Sequence, residues 1–260
     1  MTSTSDGEGW RGSIEPIAAV PLTQIRDQID SVDRQIHQLL NQRARLAEQV
    51  ARSKMATETH PVFYRPEREA QVLRNVMARN EGPLSDETVA RLFREIMSAC
   101  LALEAPQTIA FLGPQGTFTQ AAALKHFGHA AVSRPMATID EVFREVEAGS
   151  AHYGVVPVEN SSEGVVNHTL DCFIGSTLNV IGEVELRIHH NLLVAPSTRQ
   201  DSITRIYSHQ QSLAQCRKWL DAHYPQAERV AVSSNAEAAR RIKSEWHSAA
   251  IAGEMAAEQY

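Results

Sequence analysis

Positively charged side chains recur along the first long helical pattern of this 260-residue chain. Arg43 and Lys54 are eleven positions apart, so an α-helix places them only ~20° apart around its axis and ~16 Å apart along it. Two long side chains in that arrangement can clamp a small dianion. Arg26 lies about 100° away around the same helix, so it reaches such a pocket more easily from a neighbouring subunit. The alternative is that all three are solvated surface charges.

Two polar motifs in the second half follow short apolar runs. Gly113-Pro-Gln-Gly-Thr117 lies between a predicted strand and a predicted helix, where free N–H groups favour an anion. Glu159-Asn160-Ser161 follows another buried run. Many strand–helix turns contain two glycines, and Asn and Ser are ordinary helix caps, so either motif by itself also has a purely structural explanation.

The first half has the periodicity of helices. From Leu22 onward, apolar residues recur at steps of three and four, which predicts a helix of about 34 residues. Further helices are predicted over residues 66–80 and 86–104, the last capped by Ser85 or Asp86. Three helices of such unequal length cannot cover their own apolar faces, so the sequence predicts an intertwined dimer.

After Thr108 the pattern changes to short apolar runs that alternate with helices. Strands are predicted at 109–112, 154–158, 178–181, 191–194, 206–208, 230–232 and 249–252. Helices are predicted at 121–127, at 211–223, from 235 onward and after 252. This alternation predicts α/β layers with a largely parallel sheet. The chain is therefore divided into a flexible leader (1–21), a helical domain (22–105) and an α/β domain (106–260).

Composition excludes several classes of protein. The net charge is −6 and neither half has a basic excess, so a nucleic-acid partner is not expected. No run approaches the ~18 apolar residues that would span a membrane, and the polar opening lacks a signal-peptide pattern. Cys100, Cys172 and Cys216 are too far apart for a disulfide framework or CxxC spacing. Reduced thiols in the cytoplasm, with no metal site, are the expectation.

Four stretches of the first half resemble the all-helical chorismate mutase domain. They are Ile25–Asp33, Leu39–Arg43 with Lys54, Tyr64–Glu69 and Arg91–Glu104. The resemblance implies conversion of chorismate to prephenate, a pericyclic rearrangement that needs no nucleophile, metal or other cofactor. Such an enzyme holds the folded conformer of its substrate and stabilises negative charge on the breaking ether oxygen.

The resemblance also implies roles for catalytic residues. Arg26 corresponds to an arginine donated by the neighbouring subunit of a homodimer, and Arg43 to an arginine that binds a substrate carboxylate. Lys54 corresponds to the lysine at the ether oxygen and a carboxylate. Glu69 corresponds to the residue that orients the ring hydroxyl, and Glu104 to a Gln or Glu that faces the ether oxygen.

Two further positions are implied to line the mutase pocket. Cys100 falls where some relatives carry Ser. Arg65, or its neighbour Tyr64, falls near a position that is Asp in some relatives, so this chain departs from the family pattern there.

Three motifs of the second half resemble prephenate dehydratases, in the order that family has them. They are Gly113–Gln120, Val156–Ser161 and Tyr207–His209 with Gln215-Cys216. The resemblance implies two α/β lobes similar to periplasmic binding proteins, with the substrate in the cleft between them. The matching cleft residues are Thr117, Glu159, Asn160, Ser208 and Gln215. Glu159 can donate a proton to the leaving hydroxyl only if burial raises its pKa.

Together the two halves resemble the bifunctional chorismate mutase–prephenate dehydratase family of L-phenylalanine biosynthesis. No Thr-Arg-Phe signature occurs before Tyr260, so the resemblance predicts a mutase with an incomplete dehydratase domain, little dehydratase activity and no regulatory domain. The alternative is a ligand-sensing α/β binding module that the helices merely dimerise. The cations on helix 1 favour the enzyme, since a dimerisation helix prefers apolar residues.

Overall fold

The computed structural model describes residues 20–59, 61–160 and 164–260. The predicted leader therefore lies outside the described residues except for Val20 and Pro21, as does Ser161. Packing separates two compact units, one ending at Arg43 and the other running from Ala44 to Tyr260. The boundary predicted near residue 105 stays a prediction.

Three helices come first: α1 (Leu22–Thr57), α2 (Pro66–Ala78) and α3 (Asp86–Glu104). This confirms the predicted helices, including the start at Pro66, whose ring fixes the backbone angle of a first helical turn. Ser85 caps α3, because its hydroxyl accepts a hydrogen bond from the Thr88 N–H at 3.3 Å. None of the described helices combines the length and apolar character needed to cross a membrane.

The rest of the chain alternates strands and helices. The strands are β1 (Thr108–Leu112), β2 (Val132–Met136), β3 (Tyr153–Val155), β4 (Glu159–Asn160), β5 (Gly164–Val165), β6 (Asn191–Val194), β7 (Arg205–His209), β8 (Glu228–Val232) and β9 (Ser248–Ala252). The helices are α4 (Phe118–Phe127), α5 (Ile139–Glu147), α6 (Asn167–Gly175), α7 (Gln210–Gln215), α8 (Arg217–His223), α9 (Asn235–Ile242) and α10 (Glu254–Gln259).

These strands form two main sheets and a hairpin. The first sheet has the order β2-β1-β3 and is parallel throughout. The second has the order β6-β9-β7-β8, with β6 antiparallel to β9 and the other pairs parallel. β4 and β5 form a short antiparallel hairpin. A largely parallel α/β arrangement is thus confirmed.

Each sheet has its own core, built on a strand with neighbours on both sides. Ile109, Ala110 and Phe111 of β1 are almost completely buried, as are all five residues of β9. Small residues on β9 and α9, such as Ala250 and Ala238, let the helix lie close to the strand. The continuous apolar runs at 109–112 and 249–252 are therefore strands with neighbours on both sides, covered on both faces of their sheets.

Two of the sequence predictions are wrong. Residues 178–181 form no strand: Val180 is 70% exposed, and the apolar run has no neighbouring strand with which to form a ladder. The helix predicted over 211–223 is interrupted at Cys216, which separates α7 from α8. In addition, β2, α5 and α6 were not predicted, because their short apolar patterns are interrupted by polar residues.

The second and third helices pack directly on the first sheet and its helix α4. Tyr64, just before α2, is buried, and its ring centroid lies 5.5 Å from that of Phe127 and 5.2 Å from that of Tyr153. Glu95 of α3 accepts a hydrogen bond from the His129 N–H at 3.1 Å. Part of the predicted mutase domain is thereby fixed to the α/β domain by aromatic packing and polar contacts.

Candidate active sites

The glycine-rich turn after β1 is held in place by its own side chains. The Thr117 hydroxyl accepts a hydrogen bond from the Gln120 N–H and donates one to the Leu112 carbonyl at 3.2 Å. Gln120 in turn accepts from the Gly116 N–H at 2.6 Å. Gly116 has a φ of +80°, a conformation that favours glycine. A Cβ at this position would lie 3.2 Å from the Ala256 Cα, so the turn packs against α10.

Ser208 lies at the carboxyl half of β7, where it is completely buried. Its Oγ is 2.7 Å from the Ile251 carbonyl oxygen and 2.8 Å from Asn235 Oδ1. The same Asn235 oxygen accepts from the His209 N–H at 3.0 Å, and its Nδ2 donates to Ser212 Oγ. Asn235, in the first turn of α9, thus contacts Ser208 and His209 of β7 and Ser212 of α7, and it joins these three elements. Ser208 is therefore a positioning residue.

Thr117, Ser208 and Gln215 are predicted from the sequence to line one cleft, and their roles there stay a prediction. Gln215 Oε1 lies 2.6 Å from His190 Nε2, and the His190 ring is 6.1 Å from the ring of Phe118. A Cβ on Gly253, just after β9, would lie 2.6 Å from the Phe118 ring. The carboxyl ends of β1, β7 and β9 therefore meet the first turns of α4 and α9, an arrangement that suits an anionic ligand.

Glu159 and Asn160 occupy the β4–β5 hairpin. They pair with Val165 and Gly164, and Gly164 has a φ of +79°, a conformation that favours glycine. The Thr169 hydroxyl fixes the hairpin to α6 by donating to the Pro157 carbonyl at 2.7 Å. Glu159 is exposed, whereas Asn160 is half-buried. The burial that a proton-donating Glu159 requires is therefore not found in this structure.

Glu69 lies in a half-buried polar cluster between α2, α3 and α4. Its Oε1 is 3.4 Å from Arg94 Nε, and it accepts a hydrogen bond from the Tyr64 hydroxyl. Burial raises the pKa of Glu69, although the positive charge of Arg94 lowers it. Burial and the nearby Glu69 raise the pKa of Tyr64 above its ordinary range. Tyr64 Oη also lies 3.3 Å from His126 Nε2, so a predicted mutase residue is linked to the α/β domain.

Lys54 lies in the last turn of α1 and is tied to the following loop. Its Nζ donates to the Val62 carbonyl at 2.9 Å and lies 5.3 Å from the centre of the Phe63 ring. The Lys54 ammonium group therefore helps to hold the loop before α2 in place. Arg65 occupies the N-cap position of α2 without a capping hydrogen bond from its side chain. It is exposed, and its guanidinium lies 3.7 Å from a Glu58 carboxylate oxygen.

The remaining predicted mutase residues lie on α1 and α3. Arg26 is exposed and Arg43 half-buried on α1. Cys100 is buried within α3, and Glu104 is the last residue of that helix. The sequence did not identify Tyr64, Arg94 and His126 as supports of Glu69. No local spacing signals all three, since Tyr64 lies just before α2, Arg94 on α3 and His126 on α4.

The His126 contact predicts a pH-dependent stability. Burial, and to a smaller extent Arg94, lower the pKa of His126 from its ordinary value of 6.5. The unfolded chain therefore takes up the proton first, so this contribution to stability is complete above about pH 6.5 and is lost as the pH falls below it. In His126→Gln, the loss of unfolding free energy between about pH 7.5 and about pH 5.5 should be smaller than in the parent, by at most ~1.4 kcal/mol per pH unit.

Urea unfolding at the two pH values measures this difference. His37→Gln, a change of an exposed histidine on α1, is the control and should keep the parent's pH dependence. An identical acid sensitivity in parent and His126→Gln would contradict the assignment.

The chain therefore consists of a three-helix segment with a half-buried Glu69–Arg94 pair, attached to an α/β domain with two largely parallel sheets. Residues 109–260 match the prephenate dehydratase family, and residues 25–105 match the type II chorismate mutases. The chain belongs to the prephenate dehydratase family.

Curated relatives join the same two parts. The chain is 66% identical over 242 residues to a bifunctional chorismate mutase/prephenate dehydratase of Stutzerimonas stutzeri, covering 92% of this chain and 66% of the relative. It is 54% identical to the Neisseria gonorrhoeae protein so named, over 90% of this chain and 64% of the relative. The chain thus spans just under two thirds of these relatives.

Solved structures agree with the α/β part. The prephenate dehydratase of Staphylococcus aureus is 29% identical, with a TM-score of 0.51 over 59% of this chain and 57% of that protein. The resemblance to bifunctional chorismate mutase/prephenate dehydratases inferred from the sequence is confirmed.

Proposed function

We propose that the helical segment converts chorismate to prephenate and that the α/β domain is a dehydratase that converts prephenate to phenylpyruvate, two steps of L-phenylalanine biosynthesis in the cytoplasm. The observation that carries this proposal is the order of two family matches, chorismate mutase over 25–105 and prephenate dehydratase over 109–260. Relatives with 66% and 54% identity carry both names. Domain boundaries near residues 22 and 105 belong to the same proposal.

In the mutase reaction, the protein supplies fixed positive charge rather than a nucleophile. Arg43 and Lys54 hold the two carboxylates of chorismate in the folded conformer, and Lys54 also faces the ether oxygen, where negative charge grows as the C–O bond breaks. Glu104, at the end of α3, faces the same oxygen and acts in its protonated form, since a carboxylate would repel the growing charge.

Other residues orient the ring. Glu69 accepts a hydrogen bond from the ring hydroxyl, and its carboxylate is preorganised by Arg94 and the Tyr64 hydroxyl. Cys100 and Arg65 complete the pocket. Because Tyr64 also contacts His126, the α/β domain helps to position a mutase residue.

The exposed apolar face of α1 supports a homodimer. Its apolar side chains are exposed by 38–63%: Leu22, Ile25, Ile29, Val32, Ile36, Leu39, Leu40, Leu46 and Val50. A helix with such a face gains stability by burying it, at about 25 cal/mol per Å² of apolar surface removed from water. A second copy of α1 provides a matching face, and Arg26 of each subunit then serves the mutase pocket of the other.

Subunit complementation tests this sharing. Arg26→Ala and Lys54→Ala chains should each lack mutase activity. When they are unfolded together and refolded as an equal mixture, about a quarter of the parent activity should return, since half of the dimers are mixed and each of these holds one intact pocket. If activity stays at the level of the single variants, Arg26 does not act across the dimer.

In the dehydratase reaction, prephenate loses carbon dioxide and its ring hydroxyl. Thr117 and Gln215 line the cleft between two lobes arranged as in periplasmic binding proteins, and helix N-termini there bind the carboxylates. Ser208 and Asn235 hold one wall of the cleft. Asn160 and Glu159 contribute from the hairpin, where the exposed Glu159 acts as a polar contact.

One assay separates the two activities from the binding-module alternative. Purified chain is given chorismate, and prephenate and phenylpyruvate are followed separately. Prephenate formation supports the mutase. Enzymatic phenylpyruvate formation from added prephenate supports the dehydratase and contradicts the low dehydratase activity that the sequence motifs predict. Chorismate left unconsumed by a folded chain would contradict the mutase and favour a binding module.

A further inference from the structure

Asp140, His168 and Cys172 form a cluster outside both proposed active sites. Asp140 Oδ2 lies 2.8 Å from His168 Nε2, and Asp140 Oδ1 lies 3.7 Å from Cys172 Sγ. The ligand atoms of the three side chains all lie within 4.8 Å of one another. We propose that these residues bind a divalent transition-metal ion of the zinc class.

Helices α5 and α6 carry the cluster and fix the relative positions of its three side chains. Thr138 caps α5 by accepting from the Glu141 N–H, which places Asp140 in the first turn of that helix. His168 and Cys172 are four positions apart on α6, and residues with this spacing share one helix face.

Two more contacts join α5 and α6 further along. The rings of Phe143 and Phe173 lie 4.9 Å apart, edge to face. The Ser176 hydroxyl donates to Glu147 Oε1 at 2.5 Å. The cluster is therefore one end of a helix pair fixed at three levels, so the ligands are close together before any ion binds.

The donor set selects the class of ion. A thiolate, an imidazole and one carboxylate suit zinc or cobalt, whereas magnesium and calcium prefer oxygen ligands alone. Bond lengths of about 2.0–2.3 Å place the ligand atoms of a tetrahedral zinc ion roughly 3.3–3.8 Å apart. The 3.7 Å separation between Cys172 Sγ and Asp140 Oδ1 lies in this range. The 2.8 Å hydrogen bond between His168 Nε2 and Asp140 Oδ2 must open by roughly 0.5 Å to admit the ion, which a small side-chain rotation allows. Because Asp140 and His168 are exposed, a water or a ligand can take the fourth position.

A thiol binds a metal ion as the thiolate, so Cys172 would release its proton to solvent when the ion binds. Sequence reasoning missed the site, because His168 and Cys172 lie far along the chain from Asp140.

Cobalt titration of the metal-free 260-residue chain tests the proposal. Co²⁺ alone should bind one-to-one with the charge-transfer absorption of a cobalt–thiolate bond, and Zn²⁺ should displace it. Cys172→Ser should abolish the band, and Asp140→Asn should weaken cobalt binding at least tenfold, roughly the lower bound for loss of a ligand. Cys216→Ser, which changes another half-buried free cysteine, is the matched control and should keep the band.

Two further measurements distinguish loss of metal binding from loss of the fold. Cys172→His should lose the thiolate band yet still bind cobalt, because imidazole is an alternative ligand. Zinc, but not magnesium, should raise the Tm of the parent and not that of Cys172→Ser. The proposal is overturned if the parent develops no band, if the band survives in Cys172→Ser, or if Asp140→Asn binds cobalt as tightly as the parent.

Discussion

Replacing Lys54 with alanine should reduce the kcat of chorismate conversion by about 10²–10³, the usual effect of removing one preorganised donor at a developing oxyanion. The reason is charge: no other group proposed for the pocket places a positive point charge at the ether oxygen. Steady-state consumption of chorismate measures the effect.

A control is needed because Lys54 also has a structural role. Its Nζ donates to the Val62 carbonyl at 2.9 Å, so Lys54→Ala also frees a loop. Lys125 makes the same kind of contact elsewhere, donating to the Glu185 carbonyl at 2.7 Å. Both alanine variants should lose ~0.5–1.5 kcal/mol of unfolding free energy, but Lys125→Ala should keep the parent's kcat. Mutase activity of Lys54→Ala within about threefold of the parent would refute its catalytic role.

Gly128→Ala should be the most destabilising of the substitutions considered for this chain. Gly128 ends α4 with a φ of +77°, and a Cβ there would lie 2.4 Å from the Cβ of Ser98 on α3. The left-handed backbone costs about 1–3 kcal/mol for a residue with a side chain, and overpacking adds about 1–3 kcal/mol more. The midpoint of chemical denaturation measures the sum.

Gly149→Ala isolates the steric part of this effect. Gly149 has a φ of +71° but nothing within 4 Å of an added Cβ, so only the backbone cost applies. Ser98→Gly should recover part of the stability of Gly128→Ala in a double-mutant cycle, because it removes the atom that the new Cβ meets. Equal losses in Gly128→Ala and Gly149→Ala would show that α3 does not pack on α4 as described.

Local signals account for the elements that the sequence predicted correctly. The three- and four-residue spacing of apolar residues predicted α1, and residue 66 and Ser85 marked the starts of α2 and α3. These features depend on residues within one or two turns of one another, so they can be read along the chain. The family motifs likewise consist of neighbouring residues.

Predictions failed where an element depends on distant neighbours. Residues 178–181 have an apolar run like that of a strand, but a strand exists only when another strand pairs with it. Cys216 interrupts a run that looks helical, and no Gly or Pro marks the break. The role of Ser208 in the cleft stays a prediction, but its burial against Asn235 and the Ile251 carbonyl could not be foreseen from the sequence.

The sequence by itself determined the order of the two parts, the helical spacing of Arg26, Arg43 and Lys54, and the motifs that match the family. Only the tertiary structure decided what surrounds those residues: the pairing of Glu69 with Arg94, the link from Tyr64 to His126, the loop bound by Lys54, and the convergence of Asp140 with His168 and Cys172. The physical reason is the distance along the chain over which each interaction acts. Helix periodicity and capping act over a few residues, whereas burial, charge pairing and pKa values depend on side chains that only folding brings together.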